Sequence, residues 1–300
     1  MARILVTGAG GFLGRYAVTA LRDAGWTVIG SGRSAPRVDG LDASIAADLL
    51  QQHPAQQLVE RAKADVLLHL AWFDDPSLRW HAADNLNWAA ATLNLVQYFA
   101  AAGGKRVVYG SSCAVYDFSV RSTHKETDLA APQSLYGEAK ASAGTLITAA
   151  QKALGITVAE ARIFFCYGAR EQSPRLVPDL INGISQGKPV ACTDGVQKRD
   201  YLHASDVARA LQLLADSEIT GPVNIASGHS IPVAQLIGEI ARQMGRPDLP
   251  QLGAISRPEA DPADISADVS RLQQLGFEPR HSLLSGVTDT LLQSGVKLSN

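Results

Sequence analysis

The chain has 300 residues, 46% hydrophobic and 19% charged, an ordinary globular balance that excludes wholesale disorder and suits two domains or one large α/β unit with a smaller lobe. Its 27 basic and 29 acidic residues give a net charge of −2, which argues against a nucleic-acid or membrane-surface protein built on a basic face, so any bound anion must be met by a local site. Three cysteines without a CxxC pair fit a reducing, cytoplasmic setting, no metal site is legible, and no apolar stretch is long enough for a signal peptide or a membrane span.

Short β-branched runs alternate with helical patterns. Strands are predicted at 3–7, 26–30, 65–70, 105–110 and 156–163, and helices at 12–24, 84–102 and 134–154. In the first helix Leu13, Ala17, Leu21 and Ala24 recur at helical spacing. This alternation predicts right-handed βαβ crossovers and a parallel sheet with helices on both faces. After about residue 164, prolines punctuate shorter elements, which predicts a smaller lobe of residues 166–198 and 228–300. Residues 199–227 still read as strand and helix and are expected to rejoin the first domain, residues 1–165.

Between the first strand and first helix stands Thr7-Gly8-Ala9-Gly10-Gly11-Phe12-Leu13-Gly14. One glycine permits a tight turn, the next lets a pyrophosphate reach the backbone, and the third lets helix and strand pack closely. The helix start then offers free N–H groups and a positive dipole end to phosphates. Dinucleotide binding is therefore expected, with Gly8, Gly10, Gly11, Phe12, Leu13 and Gly14 in contact.

The GxxGxxG spacing resembles that of the short-chain dehydrogenase/reductase superfamily, and TGAGGFLG is similar to its extended, epimerase/dehydratase-like branch. The resemblance implies a Rossmann-type doubly wound sheet with a smaller α/β substrate-binding lobe. An acidic residue closing the second strand would bind the adenosine ribose of NAD. Here the segment is Gly30-Ser31-Gly32-Arg33-Ser34, so Ser31, Arg33 and Ser34 are expected to favour the 2′-phosphate of NADP(H), with NAD(H) still possible and Arg37 a weaker candidate. Asp48-Leu49 resembles the family's pair beside the adenine, and Leu70 and Ala71 stand where the family lines the ribose; His69 is as readily a packed core histidine.

Residues 136–140 read Tyr-Gly-Glu-Ala-Lys, a YxxxK that puts Tyr136 and Lys140 on one helix face. A free tyrosine titrates near pH 10, and a neighbouring ammonium is expected to lower that value and to bind the cofactor ribose. Within Ser111-Ser112-Cys113-Ala114-Val115-Tyr116, the family's catalytic hydroxyl falls on Ser112. Cys113 lacks a base, so it reads as packing beside the substrate rather than as a nucleophile. A fourth catalytic group is not assigned: Asn85, Asn87 and Asn94 are nearby, but the family position falls on Trp88.

Arg199-Asp200-Tyr201-Leu202-His203-Ala204-Ser205-Asp206-Val207 resembles a motif of enzymes acting on nucleotide sugars, which implies that Arg199 clamps a diphosphate and Asp206 supports the local turn or helix start. Arg257 is a second candidate clamp, and Trp72-Phe73 are expected either to shape the sugar pocket or to pack in the core. The family's amide after the sixth strand is replaced by Phe165, with Arg175 available as a substitute contact. Ser112 is followed by Cys113-Ala114 rather than two carboxylates, which disfavours dehydration. The expected function is NADPH-dependent reduction of a nucleoside-diphospho-4-keto-6-deoxyhexose. The alternatives are an NAD-dependent 4-epimerase, a reductase of a small non-nucleotide ketone, or a non-catalytic NADP-sensing regulator. Family members often pair through the helices at 84–102 and 134–154, where Ala89, Ala90, Ala91, Ala141, Ala143 and Gly144 would allow close approach in a homodimer.

Overall fold

The computed structural model describes residues 2–299. Strands β1 (Arg3–Thr7), β2 (Thr27–Gly32), β3 (Ala43–Ala46), β4 (Val66–His69) and β5 (Arg106–Ser112) join two later strands, Thr157–Ile163 and Gly221–Ile225, in a seven-stranded sheet. Across the sheet the order is Gly221–Ile225, Thr157–Ile163, β5, β4, β1, β2, β3, and every neighbouring pair is parallel. The order reverses beside β1, so a crevice opens at the carboxyl ends of the strands there.

Both faces of the sheet are covered. Helix α1 (Phe12–Asp23) buries Gly14, Ala17, Val18 and Leu21 at i, i+3, i+4 and i+7, and packs with helix Ala204–Asp216 on one face. Helices α2 (Gln52–Ala62), α3 (Asp84–Ala101) and α4 (Leu135–Ala149) cover the other. A separate core forms where helices Leu176–Ser185, Val233–Gln243 and Leu283–Gln293 meet. Its four-stranded sheet reaches back: Thr123–His124, from the loop after β5, pairs with Asp264–Ala267.

Three elements differ from the sequence reading. Strand β3 and helix α2 are additional, because β3 buries one residue in four and α2 carries Pro54 and five other polar or charged side chains in its first nine positions, which blurs both periodicities. The single helix expected over 134–154 is two, α4 and Gln151–Leu154, and Gln151 Oε1 accepts from Val158 N–H to tie the break to the next strand. Of the six small residues expected to let two copies approach, Ala91, Ala141, Ala143 and Gly144 are buried within this chain, and a Cβ on Gly144 would press on the Glu160 carboxyl. Among the described residues no helix is long and apolar enough to cross a membrane.

Candidate active site

A cleft of about 1290 Å³ opens at the crevice. One wall is the glycine turn. Gly8 has φ +70°, and a Cβ at Gly14 would collide with the Gly8 carbonyl oxygen, so both positions require glycine. Gly10 and Gly11 face the cleft, and α1 begins at Phe12 with neither a side-chain cap nor an acidic residue in its first turn. Its N–H groups and positive dipole end are thus left for an anion. Arg15, which sequence reasoning missed, lies on the same wall and donates to the carbonyls of Gly10 and Arg37, adding positive charge.

Ser31, Arg33, Ser34, Leu49, Leu70 and Ala71 also line the cleft, with Arg37 beside them. Ser31 is buried, and its hydroxyl has no hydrogen-bond partner among the described residues, a cost that a ribose or phosphate oxygen would relieve. These donors fit a dinucleotide. The Asp48 carboxylate accepts from Leu50 N–H and Gln51 Nε2 in its own turn, next to Ala47 and Leu49, which line the cleft. His69 is packed, held between Thr7 Oγ1 (2.7 Å) and Thr92 Oγ1 (2.9 Å), and burial pushes its pKa down to about 3.

The opposite wall brings together Ser112, Tyr136 and Lys140. Ser112 ends β5, and its Oγ accepts from Ala114 N–H to start the short helix Cys113–Val115. Ser134 caps α4 by accepting from Gly137 N–H, which fixes the first turn that carries Tyr136. The Trp80 ring meets Tyr136 edge to face at 5.6 Å.

Burial raises the Tyr136 pKa, and the Ser112 hydroxyl and the guanidinium groups of Arg79 and Arg175 oppose the rise. Lys140 is buried, its Nζ donates to Gly110 O at 2.7 Å and lies 3.8 Å from the Trp72 ring centroid, and burial holds its pKa well below the ordinary lysine value. Arg79 is a second residue that sequence reasoning missed. It lines the cleft, its Cζ is 5.8 Å from the Tyr136 ring centroid, and its Nε is buried with no hydrogen-bond partner among the described residues. Its only sequence signal was a lone arginine in a turn-rich stretch.

Trp72 lines the cleft as expected, with its Nε1 donating to Asn85 Oδ1 at 2.9 Å. Asn85 is buried and also donates to the Arg79 and Ala82 carbonyls, so it is structural, whereas Trp88 reaches the cleft. Cys113 faces the core and is not on the cleft wall, and burial pushes its thiol up to about 12.

The expected diphosphate clamps are placed elsewhere. Arg199 is buried, ion-paired with Asp261, and donates to the carbonyls of Lys198 and Pro262. Arg257 lies 3.9 Å from Asp194, and neither arginine lines the cleft. Asp206 stands in the first turn of helix Ala204–Asp216, as expected, and its carboxylate also accepts from the N–H groups of Arg280 and His281. Phe165 packs against Tyr201 at 5.9 Å. The cation that does reach the cleft from this side is Arg175, beside Glu171 (3.4 Å) and Asp74 (3.5 Å). Glu171 itself is pushed up to about 7 by burial, with Arg175 opposing.

Known proteins share this arrangement of chain. UDP-glucuronic acid decarboxylase 6 of Arabidopsis thaliana is 26% identical, over 95% of this chain and 86% of its own. UDP-glucose 4-epimerase of Corynebacterium glutamicum is 25% identical, over 96% and 94%. Among solved structures, MoeE5 in complex with UDP-glucuronic acid and NAD is 30% identical, covers 98% of this chain and 99% of its own, and superposes with a TM-score of 0.85. The model of the NAD dependent epimerase/dehydratase family matches residues 4–226, which run from within β1 through the glycine turn, Tyr136 and Lys140. With its parallel sheet, glycine-lined cleft and matching relatives, the chain belongs to the NAD dependent epimerase/dehydratase family.

Proposed function

We propose that this chain is an NAD(P)-dependent enzyme that exchanges a hydride at C4 of a nucleoside-diphospho-sugar, with Tyr136 carrying the accompanying proton. The observation that carries the reading is that Ser112, Tyr136 and Lys140 share one cleft with the Gly8–Gly14 turn. When bound, the nicotinamide supplies the redox chemistry.

The chain's own residues do the rest. The N–H groups at the start of α1, Arg15 and the Ser31 hydroxyl bind and orient the dinucleotide. Ser112 holds the substrate oxygen near the phenol. A Tyr136 phenol whose pKa burial raises rests protonated, which suits donation to a carbonyl oxygen; Ser112 and Arg79 favour the phenolate when the proton must leave. Arg175 and Arg79 supply the positive charge that a sugar diphosphate needs in a chain of net charge −2.

Two net outcomes share that step. Epimerisation, or a related conversion that regenerates its cofactor, is favoured by the relatives, which include an epimerase and a protein bound to NAD. Net reduction of a 4-keto sugar by NADPH is favoured by Ser31, Arg33 and Ser34, with no carboxylate closing β2.

The test begins with purified protein and no added cofactor. Retained NAD together with interconversion of UDP-glucose and UDP-galactose supports the first outcome. NADPH consumption with a nucleoside-diphospho-4-keto sugar supports the second. Should neither class of nucleotide sugar turn over in wild type, or should Tyr136→Phe leave turnover intact, the reading fails.

A further inference from the structure

We propose that His203, His281 and Asp289, which do not line the cleft, form a binding site for a divalent transition-metal ion, with Zn²⁺ the best-matched ion. His203 ends the strand Tyr201–His203, its side chain has 0% exposure, and its Nε2 has no hydrogen-bond partner among the described residues. Unsatisfied buried polar atoms are rare and call for a partner. Asp289 Oδ2, on helix Leu283–Gln293, is 3.4 Å from that nitrogen. His281 lies just before the same helix, its ring centroid 4.3 Å from that of His203, and its Nδ1 is also buried and without a partner among the described residues.

The candidate ligand atoms of all three residues lie within 4.8 Å of one another. A tetrahedral ion with bonds of about 2.0–2.1 Å separates its ligands by about 3.3 Å, so the His203–Asp289 spacing of 3.4 Å already fits, and the His281 ligand nitrogen, within 4.8 Å of both, would have to move in to complete the set. Two imidazoles and one carboxylate are the donor set of a borderline ion such as Zn²⁺ rather than of Ca²⁺ or Mg²⁺, which take oxygen ligands.

The surroundings also match. His203 Nδ1 is 2.8 Å from Ser205 Oγ and also accepts from Ser205 N–H at 3.4 Å as the cap of helix Ala204–Asp216; metal binding at Nε2 requires the tautomer in which Nδ1–H donates to Ser205 Oγ instead. Asp289 accepts from Gln293 Nε2 at 2.7 Å, which orients its carboxylate. The rings of Tyr16 and Tyr167 pack around His203 at 6.0 and 5.4 Å and keep it dry. Asp289 is 33% exposed and provides the entry path and an open position for water. A bound ion would join the last helix to the strand that leads into helix Ala204–Asp216, and so to the face that carries α1.

The full chain, stripped with EDTA and exchanged into chelator-free buffer, is titrated with Zn²⁺ against a competing chromophoric chelator and followed by thermal unfolding. His281→Ala and Asp289→Asn are compared with wild type because both residues are partly exposed and their loss leaves the buried His203 in place. His53→Ala, on the exposed surface, is the control. The expected result is one Zn²⁺ per chain, an affinity lowered about tenfold or more in each ligand variant and unchanged in the control, and a Zn²⁺-dependent rise in Tm confined to wild type and control. Absence of one-equivalent binding below about 100 µM Zn²⁺, or undiminished binding in His281→Ala, overturns the proposal and leaves His203 and Asp289 as a simple ion pair. Neither readout depends on turnover, so the result is independent of the sugar chemistry proposed above.

Discussion

The ammonium of Lys140 lies 3.8 Å from the centroid of the Trp72 indole while donating a 2.7 Å hydrogen bond to the Gly110 carbonyl. Asn85 holds the indole by its Nε1, and the Tyr109 ring stands 5.1 Å from the ammonium on another side. Trp72 is thus a positioning residue for Lys140, through a cation–π contact of about 2 kcal/mol when desolvated. Trp72→Ala should lower kcat about tenfold or more, whereas Trp72→Phe, which keeps a ring face, should retain most activity. Steady-state kinetics on the two variants decide it, and unchanged kcat in Trp72→Ala would dismiss the role.

Removing the phenol oxygen isolates proton transfer. Tyr136→Phe should cut kcat by about 10²–10⁴ while leaving dinucleotide binding and Tm close to wild type, because the ring still packs on Trp80. Kinetics are paired with calorimetric cofactor titration. A comparable loss of cofactor affinity would mean that the residue is structural instead.

Burial raises the Glu171 carboxyl to about 7, beside Arg175. Below that pH the acid is neutral and Arg175 keeps its full charge for a diphosphate; above it the carboxylate competes. KM for an anionic substrate should therefore rise several-fold between about pH 6 and 8, and Glu171→Gln should flatten the profile. The stability sign follows from linkage: the folded value lies above the ordinary value of 4.5, so the native state binds the extra proton between them. This group's contribution is fully present below pH 4.5 and is lost as pH rises through about 7. The pH slope of Tm in wild type and Glu171→Gln measures it.

Arg33 stands exposed on the cleft rim at the end of β2. Exchange for Ser should weaken NADP(H) about tenfold and leave NAD(H) within about twofold, since only the 2′-phosphate needs the guanidinium. Equal effects on both cofactors, by fluorescence titration, would remove Arg33 from cofactor choice.

Glu160 and Arg162 pair at 3.3 Å inside the sheet, with Ser111 Oγ donating to Glu160 at 2.8 Å and Arg162 donating to Tyr116 OH at 2.9 Å. Arg162→Met leaves a buried carboxylate without its cation and should cost about 3–5 kcal/mol in denaturant unfolding. A loss below about 1 kcal/mol would show that water or a local shift compensates.

The sequence alone determined the alternation of strands and helices, the glycine turn before Phe12 and the one-turn spacing of Tyr136 and Lys140. These are local properties: a 3.6-residue period, a positive φ at Gly8 and a helix face are written within a few neighbouring residues. Tertiary structure decided where the charges go. Arg199 meets Asp261 from 62 positions away, Lys140 meets Trp72 across two elements, and Arg79 reaches Tyr136 from a turn with no periodic signal. The third strand and second helix were equally hidden, because an edge strand with one buried residue and a mostly polar helix leave little apolar pattern to read. Side-chain partners across the fold depend on which elements pack together, and the energy of a charge depends on burial and on its neighbours, neither of which is encoded in sequence spacing.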